Sequence, residues 1–278
     1  MTPLEKASRR ALAAVQVARK EKFLKPLGTQ LYRATAVHFQ KQGDAVIGEL
    51  RRRGHVLNEA VCAEGLGDDI DGILSNIFAD YRPSYTDAMA RTLTTAMGGA
   101  VRHRLADFAA QINFDLENPL AQEHLKKYCG DQIAKIDEST RRAIKSTIVS
   151  GEAEGKSYSE IARAIARKFD SFGDPAPQKH LRNRAETVSV YELANAYESA
   201  SRQTVDALQS KGLPMQKSSS TAGDDRVSAV CRANEAAGWM PLGDAFPSGH
   251  QQAPFHIACR CCCLYELDSD AAEKQLSG

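Results

Sequence analysis

The sequence predicts a mainly α protein: an elongated helical body followed by a small α+β C-terminal module closed by a Cys/His cluster. Three observations carry this. Ala, Lys, Arg, Glu and Gln recur while aromatic residues make up 6% of 278 positions, a composition that favours helices. Apolar residues return every three or four positions over long stretches, which is the helical period. Five of the seven cysteines fall between Asp224 and Cys263, and Cys259, Cys261, Cys262 and Cys263 lie within five positions.

The elements follow in order. Thr2-Pro3-Leu4-Glu5 is a capping-box pattern with proline at the first helical position, so a helix starts there and is expected to stop near Pro26. A second helix is expected over 28–42 and a third through IGELRRRG. Residues 64–80 carry Glu64, Asp68, Asp69, Asp71 and Asp80, read as a loop and a short helix whose start favours negative charge. Ser84 to Phe108 reads as another helix, loosened at Gly98-Gly99. The segment FDLENP at 114–119 is a turn. Ile133, Ile136, Thr140, Ile144 and Ile148 form one stripe of a long helix. GEAEGKS at 151–157 breaks it, and Ser157-Tyr158-Ser159-Glu160 is a second capping box. Ile161, Ile165 and Phe169 stripe the helix it opens. SFGDPAPQ at 171–178 is a linker-like turn. A helix from Lys179 to Ser210 follows, with Val190, Ala194, Tyr197, Ser201, Val205 and Leu208 along one side, and Gly212 and Pro214 stop it. MQKSSSTAG then reads as a strand, and 266–278 as a frayed polar tail.

The cysteine cluster allows metal chemistry. Zinc takes four thiolate or imidazole ligands in a tetrahedron. Cys231 offers one, and His256, Cys259 and Cys261 offer three from an H-x-x-C-x-C turn. The stretch between Cys231 and His256 is rich in Gly and Pro, so the loop can close. Ser228 stands where a C-x-x-C pair would need cysteine. Cys262, Cys263 and His250 are spare donors. The competing reading is a metal-free cluster of reduced thiols packed as small hydrophobes. A disulfide framework is disfavoured, because the count of seven is odd and adjacent cysteines bridge poorly. A site closed by four protein ligands leaves no position for a reactive water, which argues against an enzyme. The alternative is a metal-dependent hydrolase or nuclease that uses zinc with Glu192 or Glu235.

Charge gives little direction, with 36 basic and 35 acidic residues. Residues 1–60 are locally basic, with twelve Lys or Arg against five acids. Arg51, Arg52 and Arg53 are the densest point, a candidate contact surface for DNA or an acidic partner. A solvated helix face is the plainer reading, since no aromatic residues interleave the charge. No secretory signal opens the sequence and no apolar run is long enough to cross a bilayer, so no membrane partner is expected.

Four stretches carry a family resemblance. FDLENPLAQEHLKKY at 114–128, GEAEGKSYSEIARAIARKF at 151–169 and RAETVSVYELANAY at 184–197 are three of them. The fourth is DDRVSAVC at 224–231 with FHIACRC at 255–261. In this order they resemble the phage Mu F-like minor head proteins, also called phage head morphogenesis proteins. Tyr191 departs from the family's Thr, Ser228 from its first Cys, and Ile257 from the Pro after His. The resemblance implies a structural protein of a tailed-phage head, present in the virion at the portal vertex and in the host cytoplasm during assembly. Its implied partners are the portal protein and the major capsid or scaffold proteins, with packaged DNA as a further contact. The implied organisation is a helical N-terminal region over 1–113, a helical Mu F-like core over 114–212, a small Cys/His module over 213–265, and the tail.

Overall fold

In the computed structural model, the described residues are 3–56, 66–108, 119–173, 184–225, 227–257 and 259–277. Among them are seven helices and a small antiparallel sheet. The helices are α1 (Pro3–Val56), α2 (Leu66–Asp107), α3 (Pro119–Ala153), α4 (Tyr158–Gly173), α5 (Arg184–Ser210), α6 (Ala229–Ala236) and α7 (Ser269–Ser277). The strands are β1 (Met215–Ser220), β2 (Met240–Pro241) and β3 (Cys262–Leu267), in the order β2-β1-β3. No described helix is long and apolar enough to cross a membrane.

Three expected helix ends are absent. α1 runs unbroken through Pro26 and past Gln42, and α2 runs unbroken through Pro83. An interior proline costs about 3 kcal/mol. Burial on both sides outweighs that cost: Leu27 and Leu31 follow Pro26, while Phe78 and Tyr85 flank Pro83. α2 starts at Leu66, ahead of Asp71. The tail is also more ordered than expected, since 269–277 is helical and the Asp268 carboxylate accepts from the Ala271 amide at 3.0 Å. The turn expected at 171–178 begins later than expected, since α4 runs to Gly173; its remainder, residues 114–118 of the turn expected at 114–119, and Cys62 lie outside the described residues.

Compactness divides the chain into two units, each built from separate segments: residues 1–29, 92–116 and 189–278 in one, and 30–91 and 117–188 in the other.

The second unit packs one apolar core. The expected stripe of α3 supplies Ile136, Ile144 and Ile148, facing Phe39, Leu50, Leu74, Phe78, Ile161 and Ile165. The capping box at α4 forms as its sequence demands. The Ser157 amide donates to Glu160 at 2.8 Å, and the Glu160 amide to the Ser157 hydroxyl at 3.4 Å. Gly155, at φ +67°, turns the chain between α3 and α4, a conformation that costs glycine nothing. Within the core lies a polar bolt. Asp137, 1% exposed, accepts from Gln42 at 2.8 Å and from Arg82 at 3.0 and 3.1 Å, with His38 Nε2 at 3.3 Å. The Tyr85 ring stacks on His38 at 4.4 Å and its hydroxyl meets Thr35 at 2.7 Å. Removing one partner of a buried charge pair costs about 3–5 kcal/mol. Asp137→Ala is accordingly expected to lower stability by that amount in urea titration, whereas an exposed change such as Asp80→Ala stays within about 0.5 kcal/mol.

The first unit joins the start of α1, the end of α2, and α5 to the sheet. Ala194, Tyr197, Ser201, Val205 and Leu208 are buried as the α5 stripe predicts, but Val190 is exposed. Gly99 does not loosen α2. It admits the Phe23 ring so closely that an added Cβ would collide with it. β1 and β3 pair antiparallel with Lys217 opposite Tyr265 and Ser219 opposite Cys263. A second apolar core forms around this pair from Val205, Leu208, Met215, Phe246, Phe255 and four of the cysteines.

A buried ionic network ties β3 to three helices. Lys20 Nζ donates to Glu198 at 2.6 Å and to the Cys261 carbonyl at 2.8 Å, while Glu198 accepts the Cys263 amide at 3.2 Å. Arg104, 1% exposed, donates to Gln16 at 2.9 Å, Asp107 at 3.1 Å and the Cys263 carbonyl at 3.3 Å. Burial opposes the charge on Lys20, but the Glu198 carboxylate outweighs it and holds the ammonium above its ordinary pKa, because an opposite charge at contact favours the charged form.

Candidate metal centre

The site is assembled by one helix start and one loop. Ser228 caps α6, its hydroxyl accepting the Cys231 amide at 3.2 Å. This is the position where a short side-chain oxygen satisfies an otherwise unpaired N–H. That places Cys231 in the first turn. His256 and Cys259 sit in the loop before β3, in a turn closed by the Cys259 amide donating to the His256 carbonyl at 3.1 Å. Two anchors hold the loop. Asn234 pairs with Ser248 through 2.8 and 3.1 Å hydrogen bonds, and Lys217 Nζ donates to the Gln251 carbonyl and side-chain oxygen, both at 2.9 Å. Arg260 donates twice to Asp224, at 2.6 and 2.8 Å. Arg226 lies outside the described residues.

Cys231, His256 and Cys259 bring their donor atoms within 4.8 Å of one another, close enough to bind a metal. The Cys231 and Cys259 sulfurs are 3.8 Å apart, and Cys231 Sγ lies 3.1 Å from His256 Nε2. Tetrahedral zinc, with bonds of about 2.3 Å to sulfur and about 2.0 Å to nitrogen, spaces sulfur from sulfur by about 3.8 Å and sulfur from nitrogen by about 3.5 Å. The sulfur–sulfur spacing matches and the sulfur–nitrogen spacing is shorter; the histidine tautomer fits. His256 Nδ1 lies 2.7 Å from the Ile257 carbonyl. A carbonyl can only accept, so Nδ1 carries the proton and Nε2 presents its lone pair to the sulfurs.

Both thiols are buried, each 2% exposed, whereas His256 is exposed. Hydrogen bonding from the Cys261 thiol, then from backbone amides, holds the Cys259 thiol down to about 5, since bonds to the charged form favour it. The same bond, with burial, pushes the Cys261 thiol up. Cys261 thus lies against the sulfurs but is not among the three whose donor atoms converge.

The remaining candidates have other surroundings. The Cys263 amide is held by Glu198, and its sulfur accepts the Ala253 amide at 3.1 Å. Cys262 is buried beside the ionic network. His250 is an exposed loop residue that pairs with Ser248. Glu192 is 5% exposed on α5. Burial first, then the charges of Glu192 and Cys259, raises the neighbouring Tyr191 hydroxyl, which places this turn of α5 near the cluster. Glu235 is occupied with the chain after β1, accepting from the Thr221 amide at 2.8 Å and hydroxyl at 2.9 Å. A groove of about 1030 Å³ opens along Ala13, Val17, Ser220, Glu235 and Trp239, and none of the three converging ligands lines it. In the second unit, Arg52 and Arg53 both bond Glu49, at 2.6 and 2.9 Å, and this pairing holds the Glu49 carboxyl down to about 2.

Sequence reasoning missed one participant. Ser228, which the sequence presents as a missing cysteine, has its hydroxyl 3.1 Å from His256 Nε2. The S-x-x-C spacing at a helix start could have flagged it, since a capping oxygen necessarily lies beside the first turn.

No curated protein and no solved structure matches this chain. A family model does match, over a segment that begins inside α3 and ends in β3. It takes in Ser228 and all four expected ligands but leaves out the stretch at 114–128. Residues 142–264 match the family described as Phage Mu protein F like protein.

Proposed function

We propose that this chain is a structural protein of a tailed-phage head, a minor head protein that joins the portal during procapsid assembly, with a metal fixing the shape of its C-terminal module. The coincidence of the family match with the converging Cys231, His256 and Cys259 carries this reading. The metal is zinc, which suits two thiolates and an imidazole. Cys261 completes the set in the expectation drawn from sequence. Bound there, zinc would supply cross-linking between α6 and the loop before β3. The chain's own residues supply the rest: Ser228 sets the turn, the Ile257 carbonyl orients His256, and Lys217 and Asn234 hold the loop.

On this reading the protein is found in the virion head and contacts the portal and the major capsid or scaffold proteins. Arg51, with Arg52 and Arg53 partly neutralised by Glu49, is a lesser candidate for contact with packaged DNA. The competing reading, a zinc hydrolase or nuclease, needs a carboxylate base at the metal. Glu235 is engaged at Thr221 and the groove is not lined by the ligands, which disfavours it. Co-expression with the portal protein of the same phage tests the proposal. Recovery of a portal complex with about one zinc per chain is the expected result. Failure to associate with either portal or procapsid, together with nuclease activity lost in Glu192→Gln, would overturn it.

A further inference from the structure

We infer that Ser228 gives the metal of this chain an oxygen-lined fourth position, open to an exchangeable ligand, in place of a fourth thiolate. This deepens the metal reading above and rests on it. The converging donors are three, Cys231, His256 and Cys259. Ser228 Oγ lies 3.1 Å from His256 Nε2. A tetrahedral ion with bonds of about 2.0 Å to nitrogen and oxygen would space them by about 3.3 Å. The hydroxyl cannot drift far, because it caps the same helical turn that carries Cys231.

Cys261 has a different station. Its carbonyl is held by Lys20 at 2.8 Å just ahead of β3, and its sulfur lies against those of Cys259 and Cys231 without being among the three converging donors. The two sides of the site also differ in access. Cys231 and Cys259 are each 2% exposed, whereas His256 and its neighbour Ile257, 70% exposed, face solvent. The serine side is therefore the side from which water or a small anion can arrive. A neutral hydroxyl is a weak donor beside a thiolate, so what it holds at the metal exchanges.

The test uses the full chain loaded with cobalt(II) or zinc. In the wild-type protein, azide is expected to change the visible absorption of bound cobalt, because it enters the fourth position. Ser228→Cys should abolish that response and tighten zinc by about tenfold or more. Cys261→Ser should keep the azide response and lose less than about tenfold in zinc affinity, with its unfolding midpoint measured as the control for folding. An azide-insensitive wild type, or a Cys261→Ser variant that loses zinc affinity by about tenfold while still folded, overturns the inference and returns the fourth position to Cys261. A wild-type chain that binds neither metal overturns the metal reading itself, and this inference with it.

Discussion

Saturating the purified chain with zinc is expected to raise its unfolding midpoint by about 10 °C. An ion held about a thousandfold above its dissociation constant stabilises the folded state by about 4 kcal/mol, and each kcal/mol moves the midpoint of a chain this size by about 2–4 °C. The gain is smaller than the roughly 10 kcal/mol or more of zinc fingers that have no other core. Here Val205, Leu208, Phe246, Phe255 and Tyr265 already pack around the sulfurs. Chelation should therefore loosen the residues around Cys231 and Cys259 without unfolding α5 or the β1–β3 pair. Hydrogen exchange reads this directly, as faster exchange at Cys231 and Cys259 with Met215–Ser220 still protected. Cys259→Ser should remove the zinc-dependent shift altogether. An unchanged midpoint across a zinc titration of the wild type would show that the convergence of donors holds no ion.

The second large effect concerns Glu198. Lys20 and the Cys263 amide both depend on its carboxylate. Replacing it by Ala should cost about 3–5 kcal/mol, because both would be left buried and unpaired. The unfolding midpoint should fall by about 10 °C. The paired change Lys20→Met with Glu198→Leu should recover only the part of the loss due to the unpaired ammonium, since the Cys263 amide and the Cys261 carbonyl still lack their partners. If the double variant is as unstable as Glu198→Ala, the pair is not an isolated unit, and Arg104 shares the Glu198 charge more than the geometry implies.

How much of this was legible in the sequence varied with the range of the interaction. The α3 stripe and the Ser157–Glu160 capping box were readable because both are local patterns. β1 was readable from its composition and the stop signals before it. The continuity of α1 and α2 was not, because proline acts locally while the burial that overrides it comes from segments far along the chain. The metal site was half legible. Cys231, His256 and Cys259 were found by residue type and spacing, but the place of Cys261 depends on Lys20, 241 positions away. Lys20 and Arg104 looked like ordinary surface charges, and nothing near them in sequence marks them as buried. Ser228 was legible only as a serine where the family pattern has cysteine; that its hydroxyl lies 3.1 Å from the imidazole depends on the fold.

The first unit draws its opening segment from residues 1–29 and its closing segment from 189–278. On the ribosome, residues 30–188 are made before that closing segment and clear the exit tunnel while it is being made. The second unit can therefore complete its core first, while Lys20 and Arg104 wait for Glu198 and Cys263 to emerge. Slowing synthesis after codon 188 should lengthen that waiting interval without harming the unit already formed, and a nascent chain released there should leave the Lys20 side of α1 free for a chaperone.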